Sequence, residues 1–322
     1  MAAVVASALA FAACSSGDDD DAASTSAPST TAAPTTTTTA AVNASTGCGT
    51  TPAVKGLVGE RPGDVELSFD SGGVARTYRL AVPDSYDADM PVPVILNLHG
   101  SGSNAIQQSV YSDLPRRAAE RGVITITPDA IDGAWELAAT GTDDDFLVAL
   151  VRDVTDHYCI DLDRVYTAGI SLGSWKATQE ACTHPDIFAA IALVAEEVRP
   201  PDCAPMPVVA FHGTGDPVVP YGEGADPGIT VTGFNGGLPG ASVNMPSWAE
   251  GGGCGERQIT PIGDDVEQWT YPDCDDGIDV VFYSIKGGGH TWPGSDINVG
   301  ATTQTIDATD IALDFFAAHP MR

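Results

Sequence analysis

At 322 residues, with 43% hydrophobic side chains and a mean hydropathy of +0.01, the chain is too long for a small disulfide knot and apolar enough to bury a sizeable core. Its 14 Lys and Arg stand against 44 Asp and Glu, a formal charge of −30. That excludes a face built for nucleic acid or an anionic membrane, since both need clustered cations. Such a surface suits a soluble exported protein and says nothing about chemistry.

Residues Ala2 to Ala13 are almost entirely apolar and too few to span a bilayer as a helix. They read as the apolar part of an export signal. The run ends in Phe11-Ala12-Ala13-Cys14, which resembles a bacterial lipobox, whose cysteine is lipidated and becomes the mature N-terminus. The alternative is an ordinary cleavable signal with Ala10-Phe11-Ala12 as its small-residue site, and export is expected either way. After four aspartates, 23 of the 26 residues from Ala22 to Gly47 are Ala, Ser, Thr or Pro. Nothing there can bury a core, so residues 15–47 are expected to form a linker. From Cys14 to Cys48 it would reach about 110 Å at most when stretched. The folded domain is expected over 48–322.

From about Val65 the pattern alternates strands and helices. Ala75–Val82 reads as a half-exposed strand, Val92–Leu98 as an apolar run ending in His99-Gly100, and Ser109–Gly122 as a helix closed by glycine. Val123–Pro128 is a short buried strand, Phe146–Tyr158 a helix, Arg164–Ile170 a strand and Leu172–Thr183 a helix. Ile187–Val194 and Val208–Phe211 are buried strands, Val280–Ile285 is the last strand, and Asp307–Ala318 closes the chain as a helix. Alternation of this kind predicts one α/β domain, a mostly parallel sheet with helices on both faces. The Gly- and Pro-rich stretch from Tyr221 to Pro246 is expected to be an insertion or lid.

With Cys14 set aside, six cysteines remain, which in an exported chain suggests up to three disulfides with fifteen possible pairings. Cys254 and Cys274 flank a short polar segment and make the best pair. Cys182–Cys203 is second, and Cys48–Cys159 is left by subtraction. No CxxC or HExxH spacing suggests a metal.

The strongest chemical signal is Gly169-Ile170-Ser171-Leu172-Gly173 at a strand-to-helix junction. There a serine occupies a sharp turn, its hydroxyl stands above the sheet, and the Leu172 N–H can face an oxyanion. A serine hydroxyl needs a base, and in this arrangement Ser, Asp and His follow in chain order. Asp216 directly follows an apolar strand, whereas its rivals Asp226, Asp264 and Asp265 lie in polar stretches. His290, on a glycine loop after the last strand, is the expected base. His99 precedes a glycine turn whose Ser101 N–H is the expected second oxyanion donor, and His99 itself is read as a structural histidine. Trp292, Tyr221 and Trp135 are candidates for a substrate groove, with Trp292 first.

Leu98–Asn104, the GxSxG, Ala210–Tyr221 and Gly288–Gly294, with Trp248-Ala249 and Cys254, together resemble the polyhydroxybutyrate depolymerase-like esterases. That group includes LpqC-type lipoproteins and related feruloyl and acetylxylan esterases. The likeness runs from about Val65 to the C-terminus and implies the α/β-hydrolase fold. Two departures concern substrate shape: Leu172 stands where the family carries Asn or another polar residue followed by Gly-Gly or Gly-Ala, and here Gly173-Ser174 leads into the bulky Trp175 near the nucleophile.

The resulting expectation is a secreted or lipid-tethered serine esterase that needs no cofactor or metal, acting on hydroxyalkanoate, feruloyl or acetyl esters through an acyl-enzyme. A monomer is expected, with a small or oligomeric ester as its partner, no nucleic acid, and membrane contact only through a lipid at Cys14. A serine peptidase and a non-catalytic envelope binding protein are the alternatives of other kinds.

Overall fold

The computed structural model describes residues 42–322 except 60, 137, 223–239 and 298. The export signal, Cys14, most of the linker and the rival acid Asp226 lie outside the described residues. No helix among those described is long and apolar enough to cross a membrane.

Among the described residues ten strands form one sheet: β1 (Val65–Ser71), β2 (Val74–Ala81), β3 (Val92–Leu98), β4 (Ile124–Pro128), β5 (Ile160–Ile170), β6 (Ala190–Val194), β7 (Val208–Gly213), β8 (Gln258–Ile262), β9 (Val266–Thr270) and β10 (Val280–Ile285). Their order is β1-β2-β4-β3-β5-β6-β7-β10-β9-β8. From β4 through β10 the neighbours run parallel, while β1 and β2 at one edge and β9 and β8 at the other run antiparallel. Parallel strands need covering on both faces, and β3 shows how the sequence meets that demand. Val94, Leu96 and Leu98 join one apolar cluster and Ile95 the opposite one. Helices α3 (Thr142–His157), α4 (Leu172–Thr183) and α5 (Ala241–Gly251) bury residues in the first, and α2 (Leu114–Glu120) and α6 (Ala308–Ala318) in the second. This is the α/β-hydrolase architecture.

Two local expectations need correction. The single helix over 109–122 is two, α1 (Ala105–Ser112) and α2, broken at Asp113 with φ 53°. Pro115 forces the break, because its ring would meet the Tyr111 carbonyl in a continuous helix. Residues 241–246 are not lid: they begin α5, which buries Ala241, Met245 and Trp248 in the core. Residues 223–239 of that expected insertion lie outside the described residues. The hairpin β8–β9 was not anticipated, although Gly263-Asp264 stands between two alternating segments.

All three expected disulfides are present: Cys48–Cys159, Cys182–Cys203 and Cys254–Cys274.

Candidate active site

Strand β5 runs into α4 through Ser171, which adopts φ 56° and ψ −125°, a conformation L-residues rarely occupy. Close packing imposes it. A Cβ on Gly169 would stand 2.3 Å from the Gly173 carbonyl oxygen, and one on Gly173 would stand 2.3 Å from that of Leu98. Strand and helix can approach this closely only without side chains at both positions. The Ser171 N–H donates to the Val194 carbonyl at 2.8 Å, tying the turn to the end of β6.

Strand order reverses between β4-β3 and β3-β5, so the loops after β3 and β5 diverge at the carboxyl edge, where ligands bind in open α/β sheets. The turn from His99 to Ser103 fills that position. A Cβ on Gly100 would lie 3.4 Å from the Ser171 Cβ, so this turn borders the serine. In it the Gly102 N–H donates to Gly133 O and the Ser103 N–H to Gly100 O. Among the described residues, the Ser101 N–H takes part in no such backbone bond. Leu172 is the first residue of α4, and its N–H is one of the donors a helix start leaves without an internal acceptor.

His99 is structural, as expected. Its Nε2 accepts from the Ala130 N–H at 3.0 Å, which leaves Nδ1 to donate to Gly100 O at 2.8 Å. Burial pushes its pKa down and keeps the ring neutral.

Asp216 follows β7 and His290 follows β10, and the parallel pairing of those strands sets Gly213 opposite Ile285. Beyond that register the loops stay bonded. The Thr214 N–H donates to Ile285 O, the Gly215 N–H to Gly288 O, and the Gly287 N–H to the Thr214 hydroxyl. The His290 Nδ1–H then meets Asp216 Oδ2 at 2.7 Å, leaving Nε2 as the free lone pair. The other oxygen, Asp216 Oδ1, accepts from the Val218 and Val219 N–H groups at 2.7 and 2.9 Å. Burial alone would raise the pKa of Asp216, but the donors His212 and His290 outweigh it and hold the carboxyl well below the usual range.

A second imidazole lies behind the acid. His212 Nε2 is 3.4 Å from Asp216 Oδ2 and 3.1 Å from the Val219 carbonyl, while Nδ1 meets both Glu197 oxygens at 2.8 and 3.0 Å. Sequence reading missed Glu197. Its signal was Glu196-Glu197 at the end of an apolar strand, on the same sheet edge as Ser171. Burial, then the neighbouring Glu197 charge, raises the Glu196 carboxyl to about 8.

The aromatic candidates divide. Trp135 and Trp292 are 3% and 2% exposed, and this corrects the reading of both as groove walls. Trp135 Nε1 donates to His99 O, and Trp292 Nε1 donates to Thr309 Oγ1, so each indole pins a loop. Tyr221 is half-buried, its hydroxyl bonded to Ser284 Oγ and its ring packed near Trp269 and Phe282. Trp175 keeps a partly exposed side chain on the first turn of α4, and its N–H donates to Ser171 O. Asp265 is taken up by Thr303 and Thr305, and Asp264 is exposed. An apolar cleft of 530 Å³ lies between α1 and the loop after His290, with Ser103, Ile106, Val110, Tyr111, Ile297 and Val299 in its lining. The Trp292 N–H donates to the Tyr111 hydroxyl and ties that wall to the His290 loop.

Away from this edge, Asp144, Glu180 and His184 bring donor atoms within 4.8 Å of one another, a grouping that could hold a metal ion. Asp144 already bonds His184 at 2.8 Å, and the buried Lys176 ammonium lies 3.0 Å from Glu180. A cation would have to displace Lys176, so the cluster fits an ion-pair network better than a metal centre.

The chain matches the family described as Esterase PHB depolymerase over residues 77–219. It is 31% identical to a putative esterase, NocK, of Nocardia uniformis subsp. tsuyamanensis over 76% of this chain and 79% of that protein. It is 32% identical to feruloyl esterase B of Piromyces equi over 65% of this chain, but spans only 41% of that longer protein. Among solved structures, an acetyl xylan esterase from Aspergillus awamori superposes with a TM-score of 0.55 at 14% identity, over 79% of this chain and 99% of the other. That likeness carries the fold alone.

Proposed function

The chain belongs to the polyhydroxybutyrate depolymerase-like esterases of the α/β-hydrolase fold, and on that footing we propose that it hydrolyses carboxylic esters through Ser171, His290 and Asp216. Ser171 Oγ attacks the ester carbonyl carbon while its proton passes to His290 Nε2. Asp216 keeps that nitrogen unprotonated beforehand by holding the proton on Nδ1, and it stabilises the imidazolium that forms. The Leu172 and Ser101 N–H groups hold the tetrahedral oxyanion. Collapse releases the alcohol, which takes the proton from His290, and leaves an acyl-Ser171 that water cleaves by the same route.

The observation that carries this reading is the 2.7 Å bond from His290 to Asp216, at the sheet edge where Ser171 holds its strained turn. The apolar cleft beside the His99 turn suits the organic part of an ester, either a hydroxyacyl chain or an aromatic acyl group. Relatives named feruloyl esterase support the aromatic alternative. Three disulfides support an oxidising compartment, in keeping with secretion and with a lipid tether at Cys14.

The test is product release from hydroxybutyrate oligomers, methyl ferulate and acetylated xylan, beside peptide anilides, for wild type and Ser171→Ala. Ester turnover that disappears in the variant is expected. Peptide cleavage without ester cleavage, or failure of a fluorophosphonate probe to label Ser171, overturns the proposal.

A further inference from the structure

Resting on the triad proposed above, we infer that His212, held as an imidazolium by Glu197, is a positioning residue for Asp216 and sets the acid limit of catalysis at His290.

The partners of the ring require a proton on each nitrogen. Nε2 faces only acceptors, the Val219 carbonyl at 3.1 Å and Asp216 Oδ2 at 3.4 Å, so it carries a hydrogen. Nδ1 faces both oxygens of Glu197 at 2.8 and 3.0 Å, a fork that one ring N–H can share between two acceptors and that a single carboxyl O–H cannot make. The side chains of His212, Glu197 and Asp216 are wholly buried, so water cannot substitute for any of these partners. Burial alone would lower the pKa of His212, but Glu197 and Asp216 reverse that and raise it to about 10.

The consequence lies at Asp216 Oδ2, which accepts from His290 Nδ1 at 2.7 Å and lies 3.4 Å from His212 Nε2. The charged groups facing His212 are Glu197 with Glu196 beside it, from the end of β6, and Asp216 from the end of β7. His290 comes in from the end of β10, and Tyr221 packs edge-on at 5.8 Å with its hydroxyl on Ser284. With Glu196 protonated, Glu197 and Asp216 negative and His212 positive, the resting network carries one net negative charge. Forming the His290 imidazolium brings it to neutrality. Without the His212 charge, the Asp216 carboxylate would lose the cation 3.4 Å from its Oδ2, and a positive charge formed on His290 would face that carboxylate unopposed, whether or not the more distant Glu197 keeps its charge.

The clean variant is Glu197→Gln, which keeps the shape and lets the amide donate to Nδ1 while the ring loses its charge. His212→Gln removes the cation but leaves Glu197 charged, so its effect should be at least as large as that of Glu197→Gln. In both, the acid limb of kcat/KM for a p-nitrophenyl ester should move up by about one pH unit, a roughly tenfold loss on that limb. The alkaline plateau should hold within about threefold, and the double variant, which like Glu197→Gln lacks both charges, should match that single variant. An unmoved acid limb in a Glu197→Gln protein that melts as a folded domain overturns the proposal. Should either variant fail to fold, histidine ¹⁵N spectra of the wild type decide, since both ring nitrogens of His212 should be protonated at pH 8 and an unprotonated one refutes the assignment. Ser171→Ala separates the two readings: lost turnover there with an unmoved acid limb removes the positioning role alone, whereas retained turnover removes the triad.

Discussion

Replacing Ser171 by glycine and by alanine should separate the chemistry of the hydroxyl from the strain of its backbone. At φ 56° and ψ −125° a residue with a Cβ costs of the order of 1–3 kcal/mol. Alanine removes the nucleophile and keeps that strain. Glycine removes both, but its freer unfolded chain returns about 0.5–1 kcal/mol. Ser171→Gly should therefore be more stable than Ser171→Ala by about 1 kcal/mol, which for a folded unit of this size is about 2 °C in Tm. Both should lose at least about 10⁴-fold in kcat, since a triad member acts as part of a unit. Calorimetric melts of matched preparations give the first quantity and p-nitrophenyl acetate turnover the second. A glycine variant that melts at or below the alanine variant refutes the strain argument. Alanine within about a hundredfold of wild type refutes Ser171 as the nucleophile.

Breaking Cys48–Cys159, whose partners are 111 residues apart, should cost about 4.7 kcal/mol, against about 3 kcal/mol for Cys254–Cys274 at a separation of 20. Urea melts of the paired Cys→Ala variants check the order, and equal losses contradict it. Stability should fall as pH rises from near neutrality toward 10. His212, raised to about 10, and Glu196, raised to about 8, both bind protons more tightly in the folded state, so their contributions are complete below the ordinary His and Glu values and vanish above the raised ones. A Tm flat from pH 6 to 10, or a decline undiminished in His212→Gln, would count against this. Asp216 acts in the opposite direction, because its depressed carboxyl gives stability that disappears only in strong acid. Turnover should be unchanged by EDTA, and a chelator-sensitive kcat would direct attention to Asp144, Glu180 and His184.

The legible parts of the sequence were those where one local rule decides the outcome. Leu172–Thr183 and Val280–Ile285 have their predicted bounds, because glycines or charged residues bracket clear apolar periods. The turn at Ser171 was legible because two glycines around a serine have few other uses between a strand and a helix. What could not be read depends on contacts between distant segments. Trp292 lies two residues from His290, which suggested a substrate wall, but the indole turns back to Thr309 on α6. Trp135 is similarly drawn in by the His99 carbonyl. Glu197 looked like one acid among 44 until β6 and β7 were seen side by side. Helix α5 was hidden by Pro246 and a weak amphipathic pattern, and only its burial against the sheet makes it a helix.

The placement of the acid and base follows from strand pairing more than from either side chain. With Gly213 level with Ile285, the loops leaving β7 and β10 start at one height and are joined by bonds from Thr214, Gly215 and Gly287. These backbone bonds do not depend on protonation, so the Asp216–His290 geometry is in place before substrate arrives. Asp216 in turn receives two backbone N–H groups on Oδ1 and the His290 Nδ1–H on Oδ2, with the His212 ring 3.4 Å behind that oxygen, which fixes its plane. What stays free is the His290 Nε2 lone pair, in a ring that keeps 19% of its side chain exposed. The fold thus spends rigidity on the acid and its supports and leaves the proton acceptor open toward solvent, where a substrate has to enter.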